Sequence, residues 1–331
     1  PNNSKNSLDK NYLYLAQASG AKILAEREVY DIKPIIREDG GEGYEVFIKR
    51  STKIFKKTQK IRTKGVVISG GVIGTLKLLL NLKKSSLPRL SEKLGHGIRT
   101  NNETLVSVST LNNELNLSKG VAIGSILHTD ENSHLEIVRY GEGSNAWKFL
   151  HFPYSESKNH LVRYVNIFWN FLKSPIKYFK IYFKNSWAKK TVVLLFMQTL
   201  DSTIVFKKNI FGGLKSVISS GKNPTPFIPE SIKLTSMYAD QINGKATSFI
   251  GETLMGIPST AHILGGAIMG KDSQAGVIDK NNKVFGYKNM YVIDGSMISA
   301  NPGVNPSLSI TAIAERAMSK IESKVCVNNI K

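Results

Sequence analysis

Gly65-Val66-Val67-Ile68-Ser69-Gly70-Gly71-Val72-Ile73-Gly74-Thr75-Leu76-Lys77-Leu78-Leu79-Leu80 is the stretch that decides the fold. After Gly65, Val66, Val67 and Ile68 form a continuous β-branched run, which predicts a buried strand. The run breaks at Ser69-Gly70-Gly71, and Leu76, Leu78, Leu79 and Leu80 fill a helix just beyond it. Strand, glycine turn and helix make the half-unit from which doubly wound α/β sheets are built. A similar half-unit closes the chain. Met290-Tyr291-Val292-Ile293 predicts a strand, Asp294-Gly295-Ser296 a turn, and Ile310, Ile313, Ala314, Ala317 and Ile321 the inner face of a final helix.

Upstream, Ser7-Leu8-Asp9 supplies capping residues before a stripe of Leu8, Tyr12, Leu15 and Ala16 that ends at Gly20, predicting a short helix. Val29 and Ile32, then Tyr44, Val46 and Ile48 after the turn Gly40-Gly41-Glu42-Gly43, predict a hairpin. From about Leu105 to Met255 the character changes, with more aromatics, longer irregular stretches and a proline-rich bend at Asn223-Pro224-Thr225-Pro226-Phe227-Ile228-Pro229. The expected organisation is therefore a first part over residues 1–104, an inserted domain over 105–255 and a final part over 256–331. No internal repeat of about 20 to 50 residues is visible, which argues against solenoids and propellers.

With 331 residues, 41% hydrophobic and 21% charged, the chain has the composition of an ordinary globular protein. Its formal charge of +20 is the outlier, and it comes from lysines scattered along the chain. That pattern implies a solvated basic surface, with anionic membrane as a further partner class. No zinc-finger spacing, basic zipper or RNP-like strand points to nucleic acid. The single cysteine, Cys326, allows no internal disulfide and no cysteine cluster for a metal, so no metal site is expected. No signal-peptide pattern and no run of roughly 18 apolar residues is present. A cytoplasmic protein with peripheral membrane contact is the expectation. The start at Pro1-Asn2-Asn3-Ser4, without Met, implies that an upstream segment is missing.

Two constellations carry chemistry. In Asp294-Gly295-Ser296-Met297-Ile298-Ser299-Ala300-Asn301-Pro302-Gly303-Val304-Asn305-Pro306-Ser307, Asn305 stands where a helix cap belongs and Pro306 at the first helical position. The N–H groups and positive dipole end of that helix suit a phosphate or a ring that gains negative charge. Asp294-Gly295 ends a buried strand, where glycine admits close approach of backbone to a ligand and a carboxylate can bind a hydroxyl. The second constellation is Ser259-Thr260-Ala261-His262-Ile263-Leu264-Gly265-Gly266-Ala267. Two glycines directly after the histidine would let the chain fold tightly beside a bound ring and leave the imidazole facing a pocket. Histidine can exchange a proton near neutral pH.

These motifs resemble the glucose-methanol-choline oxidoreductases, and within them the bacterial cholesterol oxidase branch. The resemblance rests on His262-Ile263-Leu264-Gly265-Gly266, Gly286-Tyr287-Lys288-Asn289-Met290-Tyr291-Val292-Ile293-Asp294-Gly295-Ser296, Gly303-Val304-Asn305-Pro306 and Ser309-Ile310-Thr311-Ala312-Ile313-Ala314-Glu315-Arg316. Ser7-Leu8-Asp9-Lys10-Asn11-Tyr12-Leu13, Gly43-Tyr44-Glu45-Val46 and Leu87-Pro88-Arg89-Leu90 are further landmarks. The fold this implies is mixed α/β and α+β, a partial FAD-binding Rossmann-like domain with a substrate-binding domain inserted on an antiparallel sheet.

The resemblance also implies FAD as cofactor and a hydrophobic secondary alcohol, sterol-like, as substrate. His262 would orient the substrate hydroxyl and handle its proton, and Asn305 would bind both that hydroxyl and the flavin edge. Val29 would pass the adenine, Gly70 and Gly71 would lie near the cofactor, and Asp294-Gly295 would touch its pyrophosphate or ribityl region. Asn305, Pro306 and Ser307 would present the helix start to the ring. Hydride would pass to the flavin, with oxygen as acceptor.

The family's Gly-x-Gly-x-x-Gly fingerprint is not found, and Gly70-Gly71-Val72-Ile73-Gly74 has the wrong spacing for it. The missing upstream segment is expected to complete the FAD site. Where cholesterol oxidases carry an isomerising carboxylate, the local match Gly141-Glu142-Gly143-Ser144-Asn145-Ala146-Trp147 has Asn145, with Glu136 and Glu142 nearby. From Leu161 to Phe183, aromatics alternate with Arg163, Lys173, Lys177, Lys180 and, just beyond, Lys184, around Pro175. This reads as an amphipathic hairpin over the substrate pocket, as a membrane-interface element, or as both. Two other readings of the whole stay open: a truncated non-catalytic fragment, and a lipid-surface binding protein without FAD.

Overall fold

Asn11 accepts the N–H of Tyr12 on its side-chain oxygen at 2.5 Å and so starts the first helix, α1 (Tyr12–Ala18). Three strands follow, β1 (Arg27–Pro34), β2 (Tyr44–Arg50) and β3 (Thr58–Thr63). They pair antiparallel in that order, so the expected hairpin is a three-stranded meander. The third strand, Thr-Gln-Lys-Ile-Arg-Thr, is largely solvent-facing, and its sequence carries little apolar alternation. Next come β4 (Val66–Ile68) and α2 (Gly71–Leu82), as their β-branched and leucine runs require.

The middle of the chain contributes β5 (Thr104–Thr110), β6 (Ile123–Asp130), β7 (Ser133–Val138) and β8 (His151–Pro153). It continues through α3 (His160–Lys173), α4 (Pro175–Phe183), α5 (Trp187–Lys190) and β9 (Thr191–Gln198). The hairpin β10 (Ser202–Lys208) and β11 (Leu214–Gly221) precedes α6 (Pro229–Gln241), β12 (Gly244–Phe249) and α7 (Ile250–Met255). Two elements close the chain, β13 (Met290–Val292) and α8 (Ser307–Met318).

This computed structural model describes residues 6–155, 157, 159–183, 186–200, 202–209 and 213–322. Pro1 to Ser4, Lys184 and Cys326, on which sequence expectations fall, lie outside the described residues. The chain divides into two units. One comprises residues 1–23, 101–200 and 223–261, and the other 24–100, 201–222 and 262–331. The β10–β11 hairpin thus belongs with the flanks, although it lies inside the stretch that changes character in the sequence.

In the first unit, six strands form one antiparallel sheet in the order β6-β7-β9-β5-β12-β8. Strand β9, Thr-Val-Val-Leu-Leu-Phe-Met-Gln, is buried almost throughout, as a central strand must be. One face packs on α6 through Val108, Val192, Leu194, Phe196 and Ile228. The second unit holds the parallel pair β4 and β13, in register Met290↔Val66 and Val292↔Ile68. Around it lies a core of Ile32, Tyr44, Leu76, Leu79, Ile98, Leu264, Val292, Met297 and Ala317. The mixed α/β class with antiparallel sheets is therefore as the sequence implies. Among the described residues, no helix is long and apolar enough to cross a membrane.

Candidate functional site

In the second unit, both parallel strands end at one place. Ile68 and Val292 are paired, and the chain turns after each at Ser69-Gly70-Gly71 and at Asp294-Gly295. Ser69 Oγ donates to the Ile293 carbonyl at 2.7 Å, and the Ile293 N–H donates to the Ile68 carbonyl at 3.0 Å. In open α/β sheets the carboxyl ends of strands are where ligands bind.

Thr75 locks the two turns together. Its hydroxyl donates to Asp294 Oδ2 at 2.5 Å and accepts the Gly70 N–H at 3.1 Å. The other oxygen of Asp294 accepts the N–H of Ser296 at 2.8 Å and its hydroxyl at 2.5 Å. The sequence marks Asp294 as a ligand for a cofactor hydroxyl. The structure gives its buried carboxylate an internal task, the joining of two turns, and nothing in the spacing of Thr75 announced that role.

Residues 264–267 run beside this turn. Gly265 N–H donates to the Gly295 carbonyl at 3.0 Å and Ala267 N–H to the Ser296 carbonyl at 2.9 Å. Leu264 exchanges both backbone bonds with Arg99. The two glycines after His262 are needed, but for a different reason from the one the sequence suggests. A Cβ at Gly265 would collide with the Gly97 carbonyl oxygen, and one at Gly266 would come 2.5 Å from Leu76 Cδ1. Both positions have positive φ, +84° and +97°. They serve close packing of protein on protein.

Gly295 is a similar case. A Cβ there would lie 3.3 Å from Val72 Cγ2 and 3.5 Å from both Ile310 Cδ1 and Leu264 Cδ2. Three elements converge on this one residue: α2, the start of α8, and the segment that begins at His262. Leu264 is two residues from His262, and Ile310 is five from Asn305. His262 and Asn305 are each half-buried.

The helix start also differs from expectation. Pro306 occupies the cap position, helix α8 begins at Ser307, and no side chain caps it. Asn305 thus lies one residue before the cap. The Pro306 carbonyl accepts the N–H of Ile310 at 2.9 Å, the first bond of the helix, which puts the cap at Pro306. Val29 sits on β1 beside the β-bulge between Val29 and Asp31, half-buried against the same core as Ile68 and Val72.

Two features fit a flavin dinucleotide. The first-turn N–H groups of α8 lack a side-chain cap, and Ser307 and Leu308 there are exposed, which suits an anionic group. At the start of α2, Gly71 has φ +70° and open space where a Cβ would point, so a ligand can approach its backbone. Val29, Gly70, Gly71, Asp294, Gly295, Asn305, Pro306 and Ser307 all belong to this unit, as does His262.

The first unit holds residues that sequence reasoning missed. Glu103 accepts the Thr260 hydroxyl at 2.5 Å and the Ala261 N–H at 2.9 Å. Glu252 accepts the hydroxyls of Ser259 and, at 2.9 Å, Thr104. Both carboxyls are fully buried, and burial pushes Glu252 up to about 7 against the opposing pull of those hydrogen bonds. The same unit contains an apolar pocket of about 490 Å³ walled by Phe149, Phe152, Tyr164, Phe168, Phe171 and Leu254. His151 joins that wall. Burial lowers it to about 4, so it stays neutral, with Nδ1 2.8 Å from Ser107 Oγ. Of the carboxylates considered for isomerisation, Glu142 is an exposed partner of Lys189, while Glu136 is buried 3.6 Å from His134.

Residues 207–314 match the family model described as GMC oxidoreductase. Over nearly its whole length the chain is similar to curated cholesterol oxidases. It is 41% identical over 328 residues to one from Acinetobacter baumannii, covering 97% of this chain and 59% of that protein. It is 38% identical over 335 residues to one from Mycobacterium tuberculosis (strain CDC 1551 / Oshkosh), covering 96% and 56%. The chain therefore spans less than two thirds of the relatives it matches. Among solved structures, formate oxidase superposes with a TM-score of 0.55 at 14% identity, over 89% of this chain and 59% of that one. An FAD-dependent oxidoreductase from Chaetomium thermophilum superposes with a TM-score of 0.53 at 13% identity, over 94% and 63%. At such identities these structures speak for the fold alone.

Proposed function

We propose that this chain forms the substrate-binding and part of the flavin-binding portion of an FAD-dependent oxidoreductase that oxidises the CH–OH group of a hydrophobic secondary alcohol of sterol type, with oxygen as electron acceptor. The observation that carries this reading is the convergence on Gly295, in the turn after β13, of helix α2, the segment begun by His262 and the first turns of α8. The names of the curated relatives support the alcohol class. So does the pocket in the other unit, whose size and aromatic walls suit a drug-sized apolar molecule.

FAD, when bound, supplies the two-electron acceptance that breaking the carbinol C–H bond requires. The chain's own part is positional and protic. His262 takes the hydroxyl proton at an imidazole nitrogen, acting as the general base. The Asn305 carboxamide donates to the substrate oxygen and holds it toward the imidazole. The uncapped N–H groups of α8 and the backbone at Gly71 hold anionic or electron-rich parts of the cofactor.

The test is anaerobic titration of the full-length gene product, purified with FAD, against cholesterol in detergent micelles and against ethanol. Loss of the oxidised-flavin absorbance with the sterol and not with ethanol is expected. A protein that retains no flavin, or whose flavin the sterol leaves oxidised, contradicts the proposal.

A further inference from the structure

The hairpin of α3 and α4 presents a large apolar surface to solvent. On α3, Leu161, Val162, Val165, Phe168, Trp169 and Leu172 recur at helical spacing and are exposed, Leu161 by 75% and Val165 by 65%. On α4, Ile176, Phe179 and Phe183 continue the face, exposed by 59% or more, while Tyr178 and Ile181 turn inward. Arg163 is buried and leaves no charge on the face. Lys173, Lys177 and Lys180 border it at the same three-to-four-residue spacing. No acidic residue occurs between Glu156 and Asp201.

We infer that this face docks on an anionic lipid bilayer, with the rings and aliphatic chains seated at the headgroup boundary and the lysines on lipid phosphates. Charge complementarity selects this occupant. A rim of lysines without a single carboxylate, in a chain of formal charge +20, is suited to an anionic surface, and aromatic side chains favour the interface between headgroup and hydrocarbon. The geometry adds a use for the docking. Phe168, Phe171 and Phe183 belong to the exposed face and also line the apolar pocket, so the pocket mouth and the docking face share side chains. Delivery of a lipid-dissolved alcohol into that pocket rests on the oxidoreductase reading. The docking does not, and a protein without FAD would still dock.

The experiment is cosedimentation of the full chain with phosphatidylcholine vesicles and with vesicles that also contain phosphatidylglycerol. Binding to the anionic vesicles that declines with added salt is expected. The variant Lys173→Glu/Lys177→Glu/Lys180→Glu should bind at least about 100-fold more weakly, from roughly tenfold or less per charge near the surface. Trp169→Ser/Ile176→Ser/Phe179→Ser, none of them pocket-lining, should lose binding as well. In brominated anionic vesicles the tryptophan fluorescence of a Trp147→Phe background should be quenched, and adding the conservative Trp169→Phe should remove most of that quenching, since the third tryptophan, Trp187, is buried. Four results overturn the inference: no binding, equal binding to neutral and anionic vesicles, quenching unchanged by Trp169→Phe, or a dimer in solution that the serine variant dissolves while vesicles go unbound.

Discussion

At Gly265 and Gly71 the backbone is left-handed in both cases, with φ of +84° and +70°, yet a methyl group meets different surroundings. At Gly71 it meets nothing within 4 Å, so only the backbone strain of roughly 1–2 kcal/mol remains. At Gly265 it also meets the Gly97 carbonyl oxygen, and two paired segments would have to part. Gly265→Ala should therefore lower the urea-unfolding midpoint clearly more than Gly71→Ala, whereas Gly71→Ala should weaken FAD binding. Equal midpoints for the two variants would show that the close approach at Gly97 carries no weight. His262-Ile263-Leu264-Gly265-Gly266 could be marked as a candidate site because its residues are consecutive. The purpose of its glycines was not, because Gly97 and Leu76 lie far away in the chain. The same holds for Asp294, whose partner Thr75 is an ordinary helix residue until the two turns are brought side by side.

Helix α7 is tied to strand β5 through one ionisable group, Glu252, which accepts from Thr104 and from the Leu105 N–H. Its carboxyl is raised by burial from 4.5 to about 7. Between those values the folded chain keeps a proton that the unfolded chain releases, so stability falls as pH rises from about 4.5 to about 7 and then levels off. Glu252→Gln removes that proton exchange. The melting temperature of the wild type relative to Glu252→Gln should decline across this window, and a constant difference between them would contradict the burial argument. Elements of this kind differ in how far the sequence exposes them. Strand β4 and helix α2 were legible from a β-branched run and a leucine cluster. The sheet order β6-β7-β9-β5-β12-β8 was not, since β9 pairs with β5 and β7 across long stretches of chain, and β6 is exposed along its whole length.

Across the whole molecule, the chain crosses between its two units at residues 23–24, 100–101, 200–201, 222–223 and 261–262. Hydrophobic periodicity reports neighbours within one element, so crossings of this kind leave little trace in it, and the membership of β10 and β11 could not be read. What could be read were the two flanks, where strand, turn and helix follow one another without interruption and carry nearly every candidate site residue. The curated relatives extend well beyond the span matched here. The proposed chemistry turns on His262 and Asn305 acting on one substrate hydroxyl. The direct measurement is the rate of anaerobic flavin reduction by a sterol, followed by rapid mixing in the wild type and in His262→Ala and Asn305→Ala with FAD content matched. Each variant should be slower by about 100-fold or more, the usual size of a positioned acid–base or electrostatic contribution. Rates near wild type in both variants would contradict the account.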